Sequence, residues 1–327
     1  MPSRRSFLIA AGAAGLGSAR VARAAAVPRV FAAGPPAAVL VYVLAPESLL
    51  GWTGPLAPDA ASWMRPGLAD LPVLGRLSGR GSTVSLEALV KLAPGLVLDV
   101  GSVDPTHASA IERVRQQTGL RCELLDGRIG DSPALLREAG RLLGVEGCAE
   151  RLEGEARRLL AEVVGARSRV ATTRVYLARG QDGLETGLAG SINAELLEFV
   201  GARNVAAEAG AGRLARVSLE QVIAWDPEAI VTQDREFARA VAADPLWKGV
   251  AAVREGRVLC PPSVPFGWID APPGVNRILG AAWLSHRLRP GSSPSSALAA
   301  TVRGFYDLFY GVPVTDARLR QLLEPPA

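Results

Sequence analysis

The chain carries two copies of one segment, and this internal repeat restricts the folds that it can adopt. Residues 84–99 read VSLEALVKLAPGLVLD and residues 217–232 read VSLEQVIAWDPEAIVT, an offset of 133 residues with the first four positions identical. Self-similarity of this kind indicates two copies of one supersecondary unit. The chain is therefore predicted to fold as two lobes of similar plan, and its length of 327 residues suits two domains.

Each copy of the repeat is typical of a short helix followed by a buried strand. Ser85 and Ser218 are candidate N-caps, because a hydroxyl oxygen can accept a hydrogen bond from a free N–H group of the first turn. The proline inside each copy ends the helix. The apolar runs 96–98 and 229–231 then predict strands buried on both faces, as in parallel sheets.

A second pair of similar segments lies at a different offset. The segment 34–45 (GPPAAVLVYVLA) follows the strand-like run 30–33, and the segment 190–201 (GSINAELLEFVG) follows the strand-like run 174–178. This offset is 156 residues, so the first lobe holds 23 more residues between its two elements than the second lobe does. An enlarged loop rich in glycine and proline is predicted within residues 46–83.

The segment between the copies predicts a connection between the lobes. Leucines recur at helical spacing over residues 133–167, and Gly144 with Gly147 marks a break. The second part, residues 146–167, would span roughly 33 Å as one helix. We predict an α/β protein of two Rossmann-like lobes with central, mostly parallel sheets, joined by a single long helix. Its parts are a signal peptide (1–24), an N-terminal lobe (25–145), the connecting helix (146–168) and a C-terminal lobe with C-terminal helices (169–327).

The first 24 residues are typical of an export signal. Arg4 and Arg5 form a twin-arginine pattern, a mildly apolar run covers 8–17, and small residues at 22–24 suit cleavage near Ala24. These residues hold four arginines and no acid, so removing them takes the formal charge from +4 to zero. No dense basic cluster remains, which excludes a nucleic-acid footprint. We expect a soluble monomer in the periplasm.

Two α/β lobes joined by one helix and preceded by an export signal resemble the substrate-binding proteins of ABC importers for iron-siderophores, haem and cobalamin. The resemblance is carried by the two repeat segments, by GSINAELLEFVGARNVA at 190–206 and by DPLWKGVAAVREGRVLCPP at 244–262. It implies that a solute binds between the lobes, that the connecting helix permits modest closure, and that the loaded protein docks on a membrane permease through a glutamate on each lobe. Glu195 matches the second-lobe position. The first-lobe position holds Val39, with Glu47 as the nearby alternative.

Ligand-binding residues are expected past the carboxyl ends of the strands, where loops and helix N-termini present unpaired N–H groups. The candidates are Trp52, Thr53, Ser102, Arg179, Asp182, Gln233, Arg235, Phe266, Trp268 and Asp270. This set combines aromatic rings with cations, which suits a flat anionic ligand through stacking and charge-assisted hydrogen bonds. The alternative for Trp52 and Trp268 is that they only pack their own loops.

The predicted ligand is a siderophore-like iron chelate whose metal is already coordinated. Cobalamin, haem or a small oxyanion such as molybdate held by backbone N–H groups are the alternatives. Direct binding of a free metal ion is not expected, because the chain has only two histidines. Of these, His107 is either an axial ligand to haem or iron or an ordinary loop residue. No resident cofactor is expected.

A catalytic function is the less favoured hypothesis. The sequence has no GxSxG, GxxxxGK[ST] or HExxH motif. Cys122, Cys148 and Cys260 lack the paired spacing of a zinc or redox site, so they are expected to be small buried hydrophobic residues. Ligand binding without turnover would distinguish a binding protein from a periplasmic enzyme.

Overall fold

The structure is a computed structural model that describes residues 27–79, 81–169, 173–212, 214–289 and 295–323. The predicted export signal lies outside these residues. The strands are β1 (Val30–Ala32), β2 (Leu96–Gly101), β3 (Cys122–Asp126), β4 (Arg174–Ala178), β5 (Glu185–Gly187), β6 (Arg203–Asn204), β7 (Leu214–Arg216), β8 (Ala229–Thr232) and β9 (Val258–Leu259). The α-helices are α1 (Pro35–Leu44), α2 (Leu86–Leu92), α3 (Pro105–Thr118), α4 (Ser132–Leu143), α5 (Glu146–Gly165), α6 (Glu195–Phe199), α7 (Leu219–Trp225), α8 (Arg235–Val241), α9 (Ala251–Arg254), α10 (Arg277–Arg287), α11 (Ser296–Phe305) and α12 (Asp316–Leu323).

The strands form two parallel sheets, one in each half of the chain. The first sheet has the order β1-β2-β3, with Val30 opposite Leu96. The second has the order β6-β4-β8-β9, with Val175 opposite Ala229, and β5 pairs with β7 in a small antiparallel ribbon. The strands predicted from the repeat, β2 and β8, are interior strands of their sheets, which explains why they are apolar throughout. The predicted α/β class with two parallel-sheet lobes is confirmed.

The two copies of the repeat fold alike. The Ser85 hydroxyl accepts a hydrogen bond from the N–H three residues on at 3.1 Å, and the Ser218 hydroxyl does the same at 3.3 Å. The helices α2 and α7 both end in a left-handed residue, Ala93 with φ of 45° and Asp226 with φ of 38°. The prolines that follow cannot continue a helix, so the strand begins at once in both copies.

Helix α1 is buried on all sides. All of its residues after Pro35 are buried, because the helix packs against β2, against α4 and against the π-helical turn 306–310. The enlarged loop predicted within residues 46–83 is confirmed, and its described part contains two short 3₁₀ helices at 46–48 and 60–63.

The predicted helical segment divides where its glycines indicate. Gly144, with φ of 71°, ends α4, and α5 then runs for 20 residues, about 30 Å at the usual rise per residue. The two helices cross closely at Gly140, where a Cβ would lie 2.2 Å from the Cβ of Ala149. Helix α5 also packs against α10, so it contacts elements from both halves of the chain.

The C-terminal segment packs back onto the first lobe. The Tyr42 hydroxyl donates to the carbonyl of Tyr310 at 3.0 Å, and Arg65 Nε donates to the same carbonyl at 3.2 Å. Further on, Arg318 donates to the carbonyl of Ser62 at 2.7 Å. The predicted division near residue 168 assigned these helices to the second lobe, and they also contact the first lobe.

Candidate functional site

The carboxyl ends of both sheets carry the polar segments that the sequence singled out. Residues 99–102 follow β2 in the first lobe, and residues 179–183 and 233–235 follow β4 and β8 in the second. The loop 261–274 follows β9 and reaches the first lobe, because a Cβ on Gly274 would lie 3.5 Å from the Cα of Pro36. The space between the two sets of segments is the candidate ligand cleft.

Arg179 is the centre of a polar cluster on the second lobe. Its Nε lies 2.8 Å from Oδ2 of Asp270 and its Nη1 lies 3.1 Å from Oε1 of Glu185, while its side chain is 17% exposed. Asp270 is almost completely buried, and its Oδ1 accepts a hydrogen bond from Asn193 Nδ2 at 2.8 Å. The cluster joins two predicted residues, Arg179 and Asp270, to two that the sequence did not single out. Asn193 could have been identified from the sequence, because it lies in the GSIN stretch that contributes to the family resemblance.

Gln233 supports the same cluster through the backbone. Its Oε1 accepts hydrogen bonds from the N–H groups of Ile269 at 3.2 Å and Asp270 at 3.1 Å. Gly267 permits this approach, since a Cβ there would lie 2.3 Å from that oxygen. Gln233 thus fixes the loop that holds Asp270, the partner of Arg179.

Trp52 and Phe266 meet across the two halves of the chain. Their ring centroids are 5.9 Å apart, and both rings also contact Tyr42, at 6.0 and 5.5 Å. Trp52 Nε1 donates to the carbonyl of Leu68 at 2.8 Å. The Trp52 and Phe266 residues are only 3% and 6% exposed, so most of their ring surface is used within this cluster.

Trp268 lies apart from these rings. It is fully buried, its ring centroid lies 6.3 Å from that of Tyr306, and its Nε1 donates to the Tyr306 hydroxyl at 3.4 Å. That hydroxyl in turn donates to the carbonyl of Val264. In this arrangement Trp268 packs its own loop and presents no ring face to the cleft.

The first-lobe wall contains a buried carboxylate, Asp99. Its Oδ1 accepts from the Ser78 hydroxyl at 2.8 Å and from the Val100 N–H at 2.9 Å. Burial raises the pKa of Asp99, although these two hydrogen bonds act in the opposite direction. Gly34 leaves room for the pair, since a Cβ there would lie 2.5 Å from the Ser78 oxygen. No sequence signal pointed to Ser78.

The remaining candidates occupy different surroundings. Ser102 is half-buried after β2, and Thr53 is buried beside Trp52. Asp182 is exposed and paired with Arg216, not with Arg179, and its hydrogen bond with Arg216 holds the pKa of the Asp182 carboxyl below its usual value. Arg235 is exposed in the first turn of α8, with no hydrogen bond or ion pair to the residues that the structure describes.

The two glutamates predicted to dock are placed differently. Glu47 is exposed in the short 3₁₀ helix after α1. Glu195 is 17% exposed, and its Oε1 lies 2.8 Å from Nη1 of the buried Arg277. Equivalent exposed glutamates on the two lobes are instead Glu87 and Glu220, each in the first turn of its repeat helix. The matching positions of Glu87 and Glu220 in the two copies of the repeat could have identified this pair from the sequence.

No group of three metal-ligating side chains occurs among the described residues. His107 Nδ1 lies 2.8 Å from Oδ2 of Asp104, the residue that caps α3. Cys122, Cys148 and Cys260 are free and half-buried. Within the described ranges, no helix is both long enough and apolar enough to cross a membrane.

Comparison with known proteins agrees with this geometry. The molybdate-binding protein MolA of Haemophilus influenzae is 27% identical over 283 residues, covering 78% of this chain and 74% of that protein. An ABC transporter solute binding protein from Sulfurospirillum deleyianum superposes with a TM-score of 0.81 at 26% identity, covering 91% of this chain and 94% of that one.

The molybdate-bound structure of MolA superposes with a TM-score of 0.69 at 22% identity, covering 89% of this chain and 94% of that one, and it supports the fold. The model of the periplasmic binding protein family matches residues 48–264, which include most of both sheets and the whole of α5. This match covers more than half of the sequence, and on that ground the chain belongs to the periplasmic binding protein family.

Proposed function

We propose that the protein is the solute-binding component of an ABC importer and that it captures a metal-containing anion in the cleft between its lobes. The family, the twin-arginine pattern at Arg4 and Arg5, and the two parallel sheets with polar segments after their strands support this role. In this proposal the protein binds its ligand unchanged in the periplasm and delivers it to a permease at the inner membrane.

The surroundings of Arg179 are the observation from which we infer an anionic ligand. Its Nε lies beside Asp270 and its Nη1 donates to Glu185, whereas its Nη2 makes no hydrogen bond to any residue in the described ranges. A guanidinium held in this way keeps one nitrogen for an anion, and little side-chain entropy is lost when the anion binds. The hydrogen bond to the anion is charge-assisted, which makes it stronger than a neutral one.

A compact oxyanion such as molybdate is the first ligand that we propose. The preference for a flat chelate depended on free ring faces of Trp52 and Trp268, and these residues are 3% and 0% exposed. A guanidinium and backbone N–H groups are the donors that suit an oxyanion. The name of the relative in Haemophilus influenzae, a molybdate-binding protein, supports the same choice.

An iron chelate of the siderophore type is the second candidate, and Arg235 favours it. Arg179 and Arg235 follow the neighbouring strands β4 and β8, so an extended anion could contact both cations. A tetrahedral oxyanion is too small to need the second arginine. Haem and cobalamin belong to the same class of large ligands and are tested with it.

Titration calorimetry of the purified mature protein decides between these ligands. We expect saturable one-to-one binding of molybdate, with ferric chelates, haem and cobalamin as parallel titrants. Binding of a ferric chelate alone would select the second candidate. Binding of none of them, or conversion of any titrant to a product, would overturn the proposed function.

Replacement of Arg179 tests the site itself. Arg179→Gln removes one charge-assisted hydrogen bond, so the dissociation constant for the bound titrant should rise about 10- to 150-fold, which corresponds to about 1.5 to 3 kcal/mol. Arg203→Gln is the matched control, because Arg203 is an exposed arginine of the same lobe whose ion-pair partner, Glu208, is not part of the cluster. Equal affinities for the two variants would place the ligand elsewhere. Thermal unfolding of both confirms that binding is measured on folded protein.

A further inference from the structure

Arg277 is a charged side chain in the interior of the protein. It begins α10, and it is 1% exposed. A buried guanidinium is tolerated only when its N–H groups find acceptors and its charge finds a partner. Burial lowers the pKa of Arg277, and the nearby carboxylates of Glu195 and Asp270 act in the opposite direction.

The acceptors of Arg277 come from both lobes. Its Nη2 donates to the carbonyl of Gly127 at 2.7 Å, and Gly127 directly follows β3 in the first lobe. Its Nη1 donates to the carbonyl of Ile192 at 2.7 Å and lies 2.8 Å from Oε1 of Glu195, both in the second lobe. One planar guanidinium therefore joins segments that are far apart in the sequence.

Glu195 makes a second connection between the lobes. Its Oε1 accepts a hydrogen bond from the N–H of Ile129 at 2.7 Å, and Ile129 begins the short 3₁₀ helix before α4. A carboxylate that binds both a backbone N–H of the first lobe and the buried arginine is not free to meet another protein. This contact explains why Glu195 is only 17% exposed.

Both bonded segments continue into the walls of the cleft. The N–H of Gly127 donates to the carbonyl of Gly101 at 2.9 Å, directly before Ser102 in the first-lobe wall. Ile192 directly precedes Asn193, whose side chain holds Asp270 and thereby the Arg179 cluster. A shift of Arg277 would move the two walls relative to each other.

We propose that Arg277 and Glu195 form an inter-lobe clasp that fixes the distance between the two walls of the cleft. The clasp consists of the guanidinium of Arg277, the carboxylate of Glu195 and the backbone groups of Gly127, Ile129 and Ile192. It acts alongside helix α5, which contacts elements from both halves of the chain. Opening of the lobes about a hinge would therefore require the loss of these hydrogen bonds as well as bending of α5. Arg277 is in this sense a positioning residue, and its role does not depend on which solute binds.

Distance measurement between spin labels on the two lobes, without any ligand, tests the clasp. The labels are placed on cysteines introduced at Ala88 in α2 and Ala224 in α7, both exposed positions. The three native cysteines are replaced by serine in all proteins compared. The test variants are Arg277→Lys, which keeps the charge but loses the planar fork, and Glu195→Gln, which keeps the shape but loses the charge. Glu198→Gln is the matched control, because Glu198 lies on the same helix and is exposed.

The expected result is one narrow distance distribution for the unmodified clasp and for Glu198→Gln. Arg277→Lys and Glu195→Gln should each add a population displaced by more than about 2 Å, the scale of a domain rearrangement. If Arg277→Lys does not fold, Glu195→Gln decides the question. Distributions as narrow as that of the control would overturn the proposal, even where the unfolding temperature falls, because a role in stability alone leaves the distance unchanged.

Discussion

At the scale of single residues, burial and partners decide what an acidic side chain contributes. Asp99 has no ion-pair partner among the described residues, and burial raises its pKa above the usual value. Asp182 is exposed, and its hydrogen bond with Arg216 lowers its pKa. The two aspartates therefore bind protons differently in the folded protein, and they affect stability with opposite sign.

We expect Asp99→Asn to stabilise the protein at neutral pH. The folded state binds protons at Asp99 more readily than the unfolded state, so the free energy of unfolding falls as pH rises from the unfolded pKa through the folded one. An asparagine can still accept from Ser78 and Val100 and has no charge to bury. Thermal unfolding should show a higher midpoint for the variant at neutral pH, with the difference shrinking in mild acid.

Asp182→Asn provides the opposite control. The lowered pKa of Asp182 contributes stability above its unfolded pKa, and this contribution is lost as pH falls, so the variant should be no more stable than the wild type at neutral pH. A higher midpoint for Asp182→Asn than for Asp99→Asn would contradict this account of both carboxylates.

At the scale of elements, helix α10 depends on one glycine where it meets the loop 261–274. A Cβ added to Gly280 would lie 1.7 Å from the carbonyl oxygen of Trp268, a distance at which the backbone itself must move. This close approach holds the buried ring of Trp268 in place. It also orients the start of α10, where Arg277 lies.

Gly280→Ala should lower the free energy of unfolding by about 1 to 3 kcal/mol, as overpacking does in other cores. Gly154→Ala is the matched substitution, because Gly154 is an exposed helical glycine of α5 with no atom within 4 Å of its added Cβ. That variant should be more stable by about 0.5 to 1 kcal/mol, since alanine favours the helix. Chemical denaturation measures both changes, and the same sign for both would refute the explanation.

At the scale of the whole molecule, the repeat places one exposed glutamate on each lobe. Glu87 and Glu220 occupy equivalent first-turn positions of α2 and α7, whereas Glu195 is held inside the clasp and Glu47 has no counterpart in the second copy. A permease that contacts both lobes needs two such groups. We therefore favour Glu87 and Glu220 as the docking pair.

The double variant Glu87→Gln/Glu220→Gln should reduce uptake by at least about tenfold, since each hydrogen bond to a charged group contributes about 1.5 to 3 kcal/mol. Its affinity for the solute in calorimetry should be unchanged. The measurement is solute uptake by membranes that contain the permease, with Glu47→Gln as the control. Loss of uptake in Glu47→Gln alone would restore the docking role predicted for that residue.

Features that depend on local interactions could be predicted from the residues alone. The two repeat helices, their serine caps, the break at Gly144 and the interior strands follow from contacts within a few residues and from apolar runs. The family resemblance followed from these features and is confirmed. Strand ends also brought Arg179, Gln233 and Asp270 to one edge of a sheet, because parallel strands align their carboxyl ends.

The partners of those side chains could be identified only from the folded chain. Arg179 is paired with Asp270, Trp268 is buried against Tyr306, and Glu195 is paired with Arg277, each through a partner distant in the chain. Periodicity and residue type indicate whether a side chain is buried or charged, but they do not indicate which distant residue becomes its partner. For that reason the lobes and the cleft were predictable from the sequence, whereas the clasp and the buried rings emerged only when the two halves of the chain were packed together.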